Sequence, residues 1–213
     1  MVFMDKDNLE MNCWRDNVVA SALVFANHVW EPTDKNFLHG YDRDGIFVNT
    51  PDCNYISSKF KCGWWILDQY NKGIPYNWGG SSTIDEFNVG IATGKFAGNV
   101  PDSRDNGVSK YCVGVDCSGL VTICWGLSEK ISTKSINKIA SPLDSMDLLL
   151  PGDLILLPGS HVMIFINFVD YEKTSAQIVD SSRNTGRVLL RTVTLSDLLN
   201  SGYSGFRKNT EGR

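Results

Sequence analysis

"PGDLILLPGSHVMIFI", residues 151–166, holds two apolar runs on either side of a Pro-Gly-Ser break. Each run has the length of a strand, and the break supplies turn residues. The stretch therefore predicts two adjacent strands joined by a tight turn. The pattern continues downstream in "SAQIVDSS" (175–182) and "GRVLLRTV" (186–193), with short turn-rich gaps between runs. Short gaps favour antiparallel neighbours. "TLSDLLN" (194–200) predicts a short helix and "YSGFRK" (203–208) a final strand, while the tail after it is expected to fray.

Upstream the period changes. In "RDNVVASALVFANHVW" (15–30) the apolar residues Val18, Val19, Ala22, Leu23, Ala26 and Val29 recur at three- and four-residue spacings, which predicts an amphipathic helix stopped by Pro32. Residues 31–60 are rich in Gly, Pro, Asn and Asp and predict a long loop. "DRDG" (42–45) has no glutamate placed to complete a calcium loop and reads as a turn. "CGWWILDQYNKG" (62–73) predicts a second helix capped at Gly73. Thr83 with Glu86 forms a capping box that opens a third. A fourth starts in "GVDCSGLVTICW" (114–125) and runs to about Leu127. Helices first and strands second make an α+β layout. The chain divides into an N-terminal helix and loop extension, 1–55, and a main domain, 56–213.

The 213 residues carry a net charge of -4 and no basic run, so nucleic acid and anionic membrane surfaces find no electrostatic partner. No apolar stretch reaches bilayer length, and the first residues lack the features of a signal peptide. Six cysteines occur, at 13, 53, 62, 112, 117 and 124, with no CxxC pair to suggest zinc. They are expected to be mostly free thiols, with Cys53–Cys62 as the pair if one forms. No metal or other cofactor is expected, and a monomer is.

Cys117 stands at the start of a predicted helix, behind Asp116. Unpaired N–H groups and the dipole at that end favour a thiolate. Cys117 is either a nucleophile or a small core residue; spacing alone does not choose. A nucleophile needs a base. His28 falls inside the first helix as a surface residue, and His39 falls in the Gly-rich loop. His161 opens the most apolar strand, where its ring can face a helix N-terminus or serve packing alone. Asp180, on the next strand, is either its orienting partner or the opening residue of a turn.

Three motifs in order then resemble one family. "DCSGLV" (116–121) is similar to the nucleophile motif of the NlpC/P60 cysteine peptidases, "PGDLILLPGSHVMIFI" to their histidine segment, and "PYNWGG" (75–80) to their upstream tyrosine-glycine segment. The resemblance covers roughly residues 60–206. It implies a papain-like fold with the nucleophile on a helix packed against an antiparallel sheet, Cys117 as nucleophile and His161 as base. The place of the third polar residue, often histidine in the family, holds Asp180 here. Tyr76 is then expected beside the nucleophile, with Asp116 and Ser118 forming a pocket for the substrate's amino end. The implied activity is hydrolysis of peptidoglycan stem peptides or muropeptides between D-glutamate and a diamino acid. An N-acetylmuramoyl-L-alanine amidase and a silent wall-binding module on the same fold are the alternatives. Action on the wall, release as a phage lysin and action on cytoplasmic muropeptides all remain open, and the longer stretch at 94–113 is expected to reshape the cleft.

Overall fold

The computed structural model describes residues 6–103 and 107–209, with backbone alone for residues 6–9. The first five residues, part of the 94–113 stretch (104–106) and the tail from 210 lie outside the described residues, and with them part of the readings made there.

In chain order the elements are helix α1 (Lys6–Asn27) and short strands β1 (Val29–Trp30), β2 (His39–Tyr41), β3 (Phe47–Asn49) and β4 (Asn71–Lys72). Helix α2 (Ile84–Ala92), strands β5 (Phe96–Ala97) and β6 (Cys112–Val113) and helix α3 (Cys117–Cys124) follow. The second half holds β7 (Ala140–Pro142), β8 (Leu154–Leu157), β9 (His161–Phe168), β10 (Ser175–Ser182), β11 (Arg187–Thr194), helix α4 (Leu195–Asn200) and β12 (Ser204–Lys208). The architecture is α+β, as the period change implied. Among the described residues no helix is long and apolar enough to cross a membrane.

The main sheet has six strands in the order β11-β10-β9-β8-β12-β7, all pairs antiparallel. The four consecutive strands β8 to β11 sit side by side, as their short connections require. The last strand does not extend this row beyond β11; it inserts between β8 and β7. Alternation divides the sheet's side chains between two layers. Val162, Ile164 and Ile166 of β9 join Val179 of β10 in one core with α1 and α3. Met163 and Phe165 join Ile178, Val193 and Leu195 in a second core, which includes the start of α4.

Helix α1 is part of the first core: Val18, Ala22, Phe25 and Ala26 are buried there beside Leu120, Val121 and Trp125. Its Arg15 reaches the fully buried Asp153, with Nη1 donating to Oδ1 at 2.8 Å. Arg207 of β12 donates to the same carboxylate from Nε at 3.0 Å and Nη2 at 2.7 Å, and the Leu150 N–H adds a fourth donor. Burying a carboxylate is costly unless its oxygens are filled by such donors. Asp153 therefore clamps α1 and β12 to the start of β8. The aspartate of "PGD" has this structural task.

Several local expectations change. Helix α1 ends at Asn27, so His28 lies just beyond it, with Nε2 hydrogen-bonded to Asn88 Oδ1 at 2.7 Å and its ring edge against Phe87. Val29 is exposed in β1 and is not part of a helical face. Residues 62–73 form no helix. Their backbone bonds go to distant partners: Trp64 N–H to Pro51 O, and Cys53 N–H to Trp65 O. Asp68 takes a positive φ of 55°, and the Asn71 side chain bonds both the N–H and the carbonyl of Ile66. Long-range pairing overrides local helix propensity here. Gly73, with φ 96°, is not a helix cap. A Cβ there would lie 2.7 Å from the Val188 carbonyl oxygen, so strand β11 leaves no room for one. Cys53 and Cys62 are free, as are the other four cysteines.

The capping box opens α2 as expected, with the Thr83 side chain accepting from the Glu86 N–H and Glu86 returning the bond. "DRDG" is a turn in which Asp42 Oδ1 accepts from the N–H groups of Asp44 and Ile46.

Candidate active site

Helix α3 is short because Asp116 starts it and Gly126, at φ 65°, turns the chain away after Trp125. Asp116 Oδ1 accepts from the Gly119 N–H at 2.6 Å, a regular N-cap. The first N–H groups of a helix have no acceptor within it. The Cys117 and Ser118 N–H groups are the first two of α3, so they are free to face an oxyanion. Gly119 lets the helix approach the glycine turn: a Cβ there would lie 2.0 Å from the Gly80 carbonyl oxygen. The Gly-Gly segment and helix α3 are thus packed in direct contact.

Cys117 is 9 % exposed, at the floor of a cleft of about 960 Å³. His161 opens β9 and lines the same cleft. Its charge is coupled to the Cys117 side chain, which lines the same cleft. Its Nε2 meets Asp180 Oδ2 at 2.7 Å. A carboxylate only accepts, so Nε2 carries the proton. Asp180 is fully buried and is held in turn by Arg191, whose Nε donates to Oδ1 at 3.0 Å and Nη2 to Oδ2 at 2.9 Å.

Strand register explains the row. Asp180 pairs with Leu189 across β11, so Arg191 is its diagonal neighbour on the same face. Val179 pairs with Ile164 across β9, and continuing that register makes His161 the diagonal neighbour on the other side. One sheet face thus carries His161, Asp180 and Arg191 on three adjacent strands. The sequence reading left Asp180 open between partner and turn; it lies inside β10 and bonds the histidine. Arg191 was missed. Its one signal was a charged residue at the same strand parity as the buried Val193.

Burial disfavours a charged imidazole, but the bonds to Asp180 and Cys117 outweigh it and push His161 up to about 9. For Asp180 burial acts upward, yet His161 and Arg191 hold its carboxyl below the usual range. Protonated His161 is favoured in the folded state. Its contribution to stability is full below the ordinary value of 6.5 and is lost as pH rises through about 9. In an NMR titration the His161 ring is expected to titrate near 9 in the wild type. In Asp180→Asn combined with Cys117→Ser only the burial effect remains, and the midpoint is expected to fall below 6.5. An unchanged midpoint in the double variant contradicts this assignment of the shift.

The other buried cysteines differ. Burial pushes Cys112 and Cys124 up to about 12, and Cys62 up to about 11. These thiols are inert packing groups at neutral pH.

The expected binding residues also line the cleft. Tyr76 is buried and lines the same cleft as Cys117, and its N–H donates to the Gly186 carbonyl oxygen. Ser118 Oγ donates to Asp116 Oδ1 at 3.0 Å. Asp116 Oδ2 accepts from the Gly79 N–H and from Lys130 Nζ, both at 3.0 Å. Four protein donors therefore already meet the Asp116 carboxylate. Lys130 was not anticipated from sequence, because nothing local marks a lysine that returns to a helix cap behind it. A scan against protein-family models, a search of curated proteins and a search of solved structures each return no match for this chain.

Proposed function

We propose that the chain is a cysteine peptidase of the NlpC/P60 type, with a papain-like fold, acting on the stem peptides of bacterial peptidoglycan or on muropeptides. The observation that carries this reading is one cleft: Cys117 on the first turn of α3 and His161 at the start of β9 line it together, with His161 bonded to Asp180 and Asp180 to Arg191. A thiol, a base and a buried orienting carboxylate in that order form a nucleophilic triad. The substrate class rests on the resemblance of "DCSGLV", "PGDLILLPGSHVMIFI" and "PYNWGG" to that family.

In the proposed reaction His161 holds the Cys117 proton, leaving a thiolate. The thiolate attacks an amide carbonyl, and the Cys117 and Ser118 N–H groups hold the oxyanion. His161 then gives its proton to the leaving amine, which departs as the C–N bond breaks. Water, deprotonated by His161, hydrolyses the thioester and restores the thiol. Asp180 keeps the imidazole in the required tautomer throughout.

The test is incubation with defined muropeptides and mass analysis of the products. Fragments ending at D-glutamate support the reading. Release of the whole peptide from the lactyl group makes the chain an amidase with the same machinery. Binding to peptidoglycan with no product at any enzyme concentration makes it a wall-binding module and overturns the peptidase reading.

A further inference from the structure

In the reaction proposed above Arg191 performs no step, yet its placement is more exact than a surface arginine needs. It stands on β11, an edge strand of the main sheet. From there its guanidinium reaches over β10 and meets the Asp180 carboxylate side-on, with one N–H on each oxygen. Nη2 also lies 3.9 Å from Met163 Sδ on β9. A fork of this kind fixes the plane of a carboxylate as well as its charge.

The charges around Asp180 are few. His161 faces it from β9 and Arg191 from β11, and among the described residues these are its ion pairs. Tyr203, in the turn before β12, shares a field with Asp180, Arg191 and Cys117 of α3, and its ring edge meets the His161 ring. Neither Tyr203 nor Cys117 brings a positive charge. His161 alternates between imidazolium and imidazole during the proposed turnover. Whenever it is neutral, Arg191 is the one cation left in the row. A fully buried carboxylate without a cation is costly and takes up a proton instead. Protonated Asp180 can offer His161 a hydroxyl where the mechanism requires an acceptor.

We propose that Arg191 is a positioning residue: it keeps Asp180 ionised and in plane while His161 changes charge, and thereby sets the lower end of the pH range in which Cys117 reacts. This role deepens the peptidase reading and rests on it for the reaction, though not for the row of side chains.

Two variants separate charge from geometry. Arg191→Met removes both, while Arg191→Lys keeps the charge and loses the fork. The Arg191 side chain is 37 % exposed, so neither change opens a core void. Circular dichroism checks the fold of each, and Arg191→Gln replaces the methionine variant if that one does not fold. Removing a positive charge raises the protonation midpoints of the groups around it. In Arg191→Met the acid limb of muropeptide cleavage is expected to move up by about one pH unit or more. Its kcat is expected to fall roughly 10- to 100-fold, with KM within about twofold of wild type. Arg191→Lys is expected to keep the wild-type acid limb and to recover part of kcat. A loss of folded protein lowers activity at every pH and moves no limb.

Two readouts need no peptide substrate. The acid limb of Cys117 alkylation by iodoacetamide, read by mass spectrometry, should move with that of turnover. The NMR midpoint of His161 should rise in Arg191→Met, because its deprotonation then leaves Asp180 without a cation. An unmoved acid limb in Arg191→Met, or an equal shift in Arg191→Lys, overturns the role while the peptidase reading stands. If the wild type cleaves no muropeptide and the His161 midpoint still follows Arg191, the coupling stands and the peptidase reading fails.

Discussion

Cys117→Ala is expected to abolish muropeptide cleavage while leaving the protein folded. Only one sulfur is removed, from a residue at the edge of the core, so the stability cost should stay near 1 kcal/mol. On the proposed mechanism activity depends on it entirely, because among the described residues no second cysteine shares a cleft with a histidine. Cys112 and Cys124 are buried and held at about 12. Loss of the nucleophile in such triads costs on the order of 10⁴-fold or more in turnover. Asp180→Asn should act through the histidine. The amide keeps the shape but no longer favours the Nε2–H tautomer, and a loss of about 10²- to 10⁴-fold in kcat is expected. Steady-state assays on a defined muropeptide, beside circular dichroism of each variant, measure both effects. Full turnover by Cys117→Ala sinks the mechanism.

Asp153→Ala is expected to give the largest loss of stability of any single change considered for this fold. The carboxylate is fully buried and accepts from Arg15, from Arg207 and from the Leu150 N–H. Removing it leaves Arg15, whose side chain is only 9 % exposed, and Arg207 of β12 without their carboxylate partner. Breaking a buried pair from one side costs about 3–5 kcal/mol. For a chain of this size that corresponds to a fall in Tm of roughly 6–20 °C. Urea denaturation and calorimetry give the two values. Asp153→Asn retains an acceptor and should lose less. A loss under about 1 kcal/mol for the alanine variant shows that water replaces the carboxylate, which contradicts the clamp.

The strands from 154 to 208 were legible because each apolar run is bounded by turn residues, and because neighbours in sequence are neighbours in the sheet. Helix α3 was legible from Asp116, whose cap is local. What sequence could not show has partners far along the chain. Trp64 and Trp65 look helical, but their backbone bonds belong to residues 51 and 53. The site divides in the same way. Cys117, His161 and Asp180 each sit at a locally readable place. Arg191 and Lys130 gain their tasks only from strand register and from the return of the chain to the helix cap. The insertion of β12 between β8 and β7 had no signal either, since alternation identifies a strand but not its neighbours.

That insertion also sets an order of assembly. Strand β8 has β9 on one flank and β12 on the other, and β7 joins the sheet only through β12. During synthesis β8 to β11 emerge first and can pair at once. Their outer edge on β8 stays unpaired until Ser204–Lys208 arrives, an open template of the kind that recruits other chains. Ser204, Gly205 and Phe206 close that edge, and Arg207 completes the charge balance of Asp153 in the same event. A nascent chain that already holds Cys117, His161 and Asp180 is therefore still an unfinished sheet, and a pause in translation shortly before residue 204 is where misassembly between copies is most to be expected.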